Sequence, residues 1–456
     1  MNENRSPVNF SAMKKKALLF LLSAASIIAI TSCKNNPQTD PDEFPIVALR
    51  SAGKEIPNPN ITPERCIPEG AEATLRSLRY IPGKPIYYMD YTANVDWENL
   101  LTDTTHQTPL FGMSYQTSKV TNALFNYTPG PTTMDKIQSN SCSGFICYNK
   151  DGELLNCRNY DGDYGEMVVV FNRNVNPGEH KSVMMTDLNA AQKFSGTQGY
   201  DGDSVLLREG IDLNVLLRQP ILTIDGMNDA GLVITAYQLP DFNDANDPAI
   251  DPFPSVTPRP YGVDQNTGKP QVGFMGLHIL ALAKCATVQD VIDLFRSYDF
   301  TALYRYLNVH WYISDANNDC RTLEYWVGSD GQDSLYVFDE EARNYSAQIG
   351  GHEVAYEYLS IENYYYNPVP AVNWNVDYWQ RELGAVMRVH NMMSHYSRVM
   401  DEEEALQCLQ YGNYGIEVSG QVTNWSCVYN SRQKTILFNV RDDMSQAFTI
   451  DLKKDL

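Results

Sequence analysis

Period-two alternation and short apolar runs dominate the chain from residue 142 onward, and they predict strands rather than long helices. Three strands fall at 145–148, 154–158 and 167–171, and two more at 221–224 and 231–236 lie on either side of Asn228-Asp229. Others are predicted at 309–313, 322–326, 422–429, 435–440 and 448–452. Upstream, segment 61–141 is mixed: Tyr87-Tyr88-Met89-Asp90-Tyr91 reads as a strand, and the polar end carries Pro129 and Pro131. Apolar residues three and four apart predict helices over 275–285, 376–400 and 402–409. Thr287, with Asp290 three residues on, makes a capping box that opens another helix to about Arg296. Residues 243–272 hold Pro248, Pro252, Pro254, Pro258, Pro260 and Pro270, which predicts a surface excursion or a lid. Strands, then helices, then strands again predict an α+β fold with helices stacked on mostly antiparallel sheets. No internal repeat is visible.

The N-terminus follows a different pattern. Lys14-Lys15-Lys16 precede an apolar run from Ala17 to Ile30 and then Thr31-Ser32-Cys33, as in a secretory signal. The run is too short to span a bilayer. Small residues before a single cysteine resemble a bacterial lipoprotein signal, which implies a lipid on Cys33 and a place in the cell envelope. The domain plan is therefore a signal over 1–32, a tether over 33–60, an N-terminal segment over 61–141 and a main domain over 142–456. Prolines and asparagines such as Asn35, Asn36, Pro37, Pro57 and Pro59 leave the tether little to bury.

Composition narrows the partners. With 35 basic against 56 acidic residues the net charge is −21, which disfavours nucleic acid and anionic membrane faces. The eight cysteines after Cys33 are irregularly spaced and form no CxxC pair, which argues against a zinc ribbon or a thioredoxin-like site. Whether some pair or all stay as buried thiols is open at this level. There is no GxSxG, HExxH or Walker motif, so neither a metal nor a cofactor is expected.

Chemistry concentrates around Cys142. Asn149-Lys150-Asp151-Gly152 predicts a hairpin turn, and pairing Tyr148 with Glu153 sets Cys142 opposite Asn159. Arg158 and Asp161 then lie close to the thiol. Arg158 is expected to lower the thiol pKa, and Asp161 to orient either an α-amine or the arginine. The bland alternative is a hairpin with an incidental ion pair. A Cys–His arrangement is the competing chemistry, with His310 in a strand and His390 and His395 on the 376–400 helix.

From Cys142 onward the chain resembles the choloylglycine hydrolase group of N-terminal-nucleophile amidases. The resemblance rests on Cys142-Ser143-Gly144, Arg158-Asn159-Tyr160-Asp161, Asp225-Gly226-Met227-Asn228-Asp229-Ala230-Gly231-Leu232, His310-Trp311-Tyr312-Ile313-Ser314-Asp315 and Thr423-Asn424-Trp425-Ser426, in that order. It implies an αββα four-layer sandwich and an amidase acting on linear amide bonds. Cys142 takes the nucleophile's place, with Arg158 and Asp161 beside it. Gln238, or Tyr237 next to it, falls where the family carries an oxyanion-side asparagine or tyrosine. Asn363 matches a second oxyanion-side asparagine, and Arg381, or Arg388, a late arginine. Trp425 and His310 match structural positions.

A nucleophile of this kind uses its own α-amine as base, so the resemblance implies a cut between Ser141 and Cys142. The long prefix is similar to that of acid ceramidase and the N-acylethanolamine acid amidases, which implies that the N-terminal fragment stays as a small subunit. The implied substrate is a small amphiphilic N-acyl amide: fatty-acyl, bile salt or penicillin V-like. A homo-oligomer is left open. The rival expectation is an uncut, inactive lipoprotein that keeps the fold as a binding module.

Overall fold

The computed structural model describes residues 44–102, 142–163, 165–188, 205–207, 212–238, 268–270, 272, 274–298, 309–327, 333–339, 346–349, 352–355, 360–362, 392, 395–413, 421–441 and 443–456. The proline-rich segment 243–267, most of the 376–400 helix, and Cys33, Ser141, Asn363, Arg381, Arg388 and His390 lie outside them.

Two sheets carry the fold. The first has seven strands in the order β1 (Ile46–Ala48), β19 (Ala447–Asp451), β18 (Thr435–Val440), β17 (Gln421–Asn430), β6 (Leu154–Asp163), β5 (Ser143–Tyr148) and β16 (Ser360–Glu362). The second has ten: β13 (Asp333–Phe338), β12 (Cys320–Val327), β11 (Val309–Ser314), β10 (Val233–Gln238), β9 (Thr223–Asn228), β8 (Ser182–Asp187), β7 (Met167–Asn172), β4 (Ile86–Tyr91), β3 (Arg79–Tyr80) and β2 (Lys54–Glu55). A separate hairpin joins β14 (Ser346–Ile349) to β15 (His352–Ala355). Among the described strands only β1–β19 and β4–β7 pair in parallel.

Alternating side chains divide the apolar residues into layers. Ile146, Tyr160, Trp425, Cys427, Phe438 and Phe448 of the first sheet pack against Val169, Phe171, Met185, Met227, Tyr237 and Tyr312 of the second. The other face of the ten-stranded sheet, including Tyr87, Met89, Val168, Ile234 and Trp311, packs on the helices Phe274–Lys284 and Val288–Ser297. The helix Glu402–Gln410 covers β6 and β17 on the far side of the seven-stranded sheet. The order is helix, sheet, sheet, helix, the expected four-layer α+β sandwich. Thr287 and Asp290 form the expected reciprocal capping box.

Several boundaries differ from the sequence reading. The tether does not reach residue 60: Ile46–Ala48 pairs with Ala447–Thr449, and Leu49 is buried. The strand predicted at 221–224 starts only at Thr223. Ahead of it Leu213–Leu222 is a 3-10 run with Pro220 inside it, a residue with no N–H to give a ladder. The helix predicted to reach Met400 has ended by His395, which sits in a turn and donates its backbone N–H to Met392 O at 3.0 Å.

The N-terminal segment is woven into the body. β4 lies between β7 and β3, and Tyr87, Met89 and Tyr91 are fully buried, with the Tyr91 hydroxyl donating to Leu217 O at 2.7 Å. Met89→Ala is therefore expected to lower stability by about 2–5 kcal/mol in urea unfolding, as a core truncation does. A loss below about 1 kcal/mol, typical of surface positions, would make the segment an appendage.

Candidate active site

The β5–β6 hairpin carries the nucleophile candidate at its open end. Its loop is Lys150-Asp151-Gly152: Asn149 N–H donates to Glu153 O and Gly152 N–H to Asn149 O, both at 2.9 Å, and Gly152 adopts φ +73°. This three-residue loop sets Tyr148 opposite Leu154 and Ser143 opposite Asn159. The expected register, with Tyr148 facing Glu153, is thus off by one. Gly152 takes the left-handed conformation that glycine tolerates best, so the loop closes one residue later than a two-residue turn would.

The corrected register puts Cys142, Gly144, Arg158 and Tyr160 on the face toward the other sheet. Cys142 is 4% exposed and Arg158 is fully buried. Arg158 Nη2 donates to Cys142 Sγ at 3.4 Å, so the expected thiol–guanidinium contact forms. Gly144 lies directly opposite Arg158, and a Cβ there would overlap Cys157 O and the Tyr237 hydroxyl.

The acid that meets the arginine is not Asp161. Arg158 Nε lies 2.9 Å from Asp225 Oδ1, an ion pair whose angle falls short of a well-formed hydrogen bond. Asp225 belongs to β9 of the other sheet and is fully buried. Arg158 also donates through Nη1 to Ala236 O and lies over the Tyr237 ring, 4.5 Å from its centroid. Asp161 takes a hydrogen bond on Oδ1 from Thr423 Oγ1 at 2.6 Å, while its backbone oxygen is 4.0 Å from Cys142 Sγ. Its carboxylate is thus held from β17.

Burial decides the protonation state of the uncut chain. It pushes the Cys142 thiol up to about 11, and the Arg158 charge recovers only part of that. Arg158 does pull the thiol down, as expected, but burial outweighs it, and the Asp161 and Asp225 charges also oppose the guanidinium, so the net shift is upward. Burial also lifts the Asp225 carboxyl to about 6 against the opposite pull of Arg158 and the Trp425 N–H. Burial is the largest single influence on Arg158 and works against its charge, but Asp225 together with Cys142, Tyr237 and Tyr429 keeps the guanidinium charged.

The oxyanion candidates divide. Tyr237 is fully buried beside Arg158, and its hydroxyl makes no hydrogen bond of ordinary geometry among the described residues. Gln238 is the last residue of β10, opposite Val309, and its side chain lies outside the description. β16 ends at Glu362 opposite Ser143, one residue before Asn363. His310 is buried with Nδ1 3.1 Å from Glu324 Oε1, a structural pairing, and exposed His395 stacks on Tyr411. Among the described residues no cluster of His, Cys, Asp or Glu converges as metal ligands would. All eight cysteines from Cys66 onward are free thiols.

Asp225, Thr423 and Trp425 are the site residues that sequence reasoning missed or left without a chemical role. A signal for the first was present: Asp225 follows the apolar run Ile221-Leu222-Thr223-Ile224, and an acid so placed needs a buried partner.

A family model described as linear amide C-N hydrolases, choloylglycine hydrolase family, matches residues 142–377, just over half of the chain. No curated protein matches. Among solved structures the chain is similar to a mutant of conjugated bile acid hydrolase from Clostridium perfringens, at 14% identity, over 69% of this chain and 93% of that one, with a TM-score of 0.38. A variant of the same enzyme gives 15% identity, the same coverage and a TM-score of 0.37. Those two likenesses add no weight to the assignment, which rests on the family model. The chain belongs to the choloylglycine hydrolase family of linear amide C–N hydrolases.

Proposed function

We propose that this linear amide hydrolase is a cysteine amidase that cuts its own chain before Cys142 and then hydrolyses the amide bond of an N-acylated amphiphile. The observation that carries the reading is the thiol's position: buried at the head of β5, against a guanidinium that an acid from the facing sheet pairs. In the uncut chain this thiol is protonated and has no amine beside it. Attack of Cys142 Sγ on the Ser141 carbonyl converts the peptide bond to a thioester and frees the α-amine. Water then releases the Ser141 carboxylate and restores the thiol.

Turnover uses the same atoms. An α-amine with a pKa of about 8 takes the thiol proton, and the thiolate attacks the substrate carbonyl. The amine then returns its proton to the leaving nitrogen, and water hydrolyses the acyl-enzyme. Arg158 favours the thiolate, and Asp161, fixed by Thr423, is the candidate to orient the α-amine. Tyr237 or Gln238 with Asn363 would stabilise the oxyanion, and Arg381, or Arg388, would serve as the late arginine.

The interwoven N-terminal segment supports a fragment that stays bound as a subunit after the cut. Its retention favours fatty-acyl or other acyl-amino amides over bile salts, with penicillin V-like amides also open. The Cys33 signal supports export and lipid anchoring at a bacterial cell envelope.

Intact mass of the purified protein tests the central step: fragments ending at Ser141 and beginning at Cys142 are expected, and Cys142→Ala should leave one chain without amidase activity. A wild-type chain that stays whole at mildly acidic and neutral pH would remove the amine-base mechanism. In a chain held uncut by Ser141→Pro, a thiol at about 11 is protonated at neutral pH. Its alkylation should therefore be slow at pH 7 and rise steadily toward pH 11, whereas the cut wild type should react faster at pH 7. Tyr237→Phe should lower kcat about 10²–10³-fold if its hydroxyl is the oxyanion donor. An unchanged kcat would pass that role to Gln238.

A further inference from the structure

A guanidinium and an indole N–H from different strands converge on the Asp225 carboxylate. Arg158 Nε reaches Oδ1 at 2.9 Å, and Trp425 Nε1 donates to Oδ2 at 3.0 Å. Trp425 attains that position through an irregularity in β17. Its pairing with β6 runs from Gln421↔Asp163 to Thr423↔Asp161 and then shifts to Trp425↔Tyr160, leaving Asn424 as the extra residue. Such a bulge re-aims the side chains on either side of it. On one side Thr423 holds the Asp161 carboxylate. On the other Trp425 stacks on Tyr160, with ring centroids 4.1 Å apart, and turns its N–H to Asp225. The Asn424 side chain anchors the bulge by accepting from Gly165 N–H at 2.9 Å.

We propose that Asp225, fixed by Trp425, is the positioning residue that holds Arg158 across the gap between the sheets and so sets where the guanidinium meets the Cys142 thiol. The proposal rests on reading Cys142 as the nucleophile. The arginine would otherwise be a long, flexible side chain on β6 with its charge free to turn toward the nearest carbonyl. With Asp225 on Nε, the guanidinium plane is fixed and Nη2 is left for the sulfur. The same carboxylate offsets part of the charge that Arg158 offers a thiolate. The groups facing the sulfur are Arg158, Tyr160 and Asp161 from β6, Asp225 from β9 and Tyr237 from β10.

A residue that only stabilised the core would lower unfolding free energy and leave the thiol's chemistry alone. Asp225 should move that chemistry in two directions. In the full chain held uncut by Ser141→Pro, Asp225→Asn leaves more of the arginine's charge to the thiolate. Iodoacetamide labelling of Cys142 at pH 8, read by peptide mass, should speed up about tenfold, as one unit of thiol pKa would give. In the chain that can be cut, the same substitution frees the guanidinium to move, and kcat should fall about 10²-fold with KM changed less than about threefold, as misplacement of a positioned group does.

Trp425→Phe keeps the stacked ring and the acid but removes one donor, so it should shift both readouts the same way by a smaller factor. It decides the matter if Asp225→Asn does not fold. A folded Asp225→Asn chain, or a Trp425→Phe chain, with the wild-type labelling profile and kcat overturns the proposal. Because labelling is read on the uncut chain, a wild type that never cuts would defeat the amine mechanism while leaving the Asp225 test intact.

Discussion

Arg158 carries a charge with no exposure to water, and most of the site's arrangement follows from how that charge is satisfied. Removing one partner of such a buried pair typically costs about 3–5 kcal/mol, so the acid opposite it is structurally committed. Here the acid comes from the other sheet. The pair therefore joins β6 to β9, and the Ala236 carbonyl adds β10. Close sheet packing and correct placement of the guanidinium become one requirement. Gly144 belongs to the same requirement, because a side chain there would occupy the space of the Tyr237 hydroxyl and the Cys157 carbonyl.

That arrangement explains how a potential nucleophile stays quiet in the intact chain. Desolvation raises the thiol, and the Asp161 and Asp225 charges oppose the guanidinium that would lower it. The proposed cut would add an amine at the head of β5, beside a thiol and guanidinium already in contact. The parallel pairing of β4 with β7 and of β1 with β19 makes the N-terminal segment part of the core.

Much of this was legible in the sequence. Period-two alternation located the hairpin and the three C-terminal strands, and Thr287 with Asp290 marked a helix start, because these signals are local. The hairpin register was missed by one residue, since the choice between a two- and a three-residue loop depends on how Gly152 is used. Residues 46–56 read as tether because the stretches on either side, with Pro37, Pro41, Pro57 and Pro59, are polar and proline-bearing, yet Ile46–Ala48 pair with a strand from the far end of the chain. Asp225 was visible only as part of a motif, and its partner lies 67 positions back (225 − 158) in another sheet. Contacts between distant strands leave no periodic trace, so the ion pair and the β17 bulge became apparent only in three dimensions.

The most direct measurement of the account is peptide mapping of the enzymatically active protein after inactivation by a thiol alkylator. The account predicts one label per chain at loss of activity, on a peptide whose first residue is Cys142 with a free α-amine. Loss of activity with the label on another residue, or on a Cys142 still joined to Ser141, would contradict it.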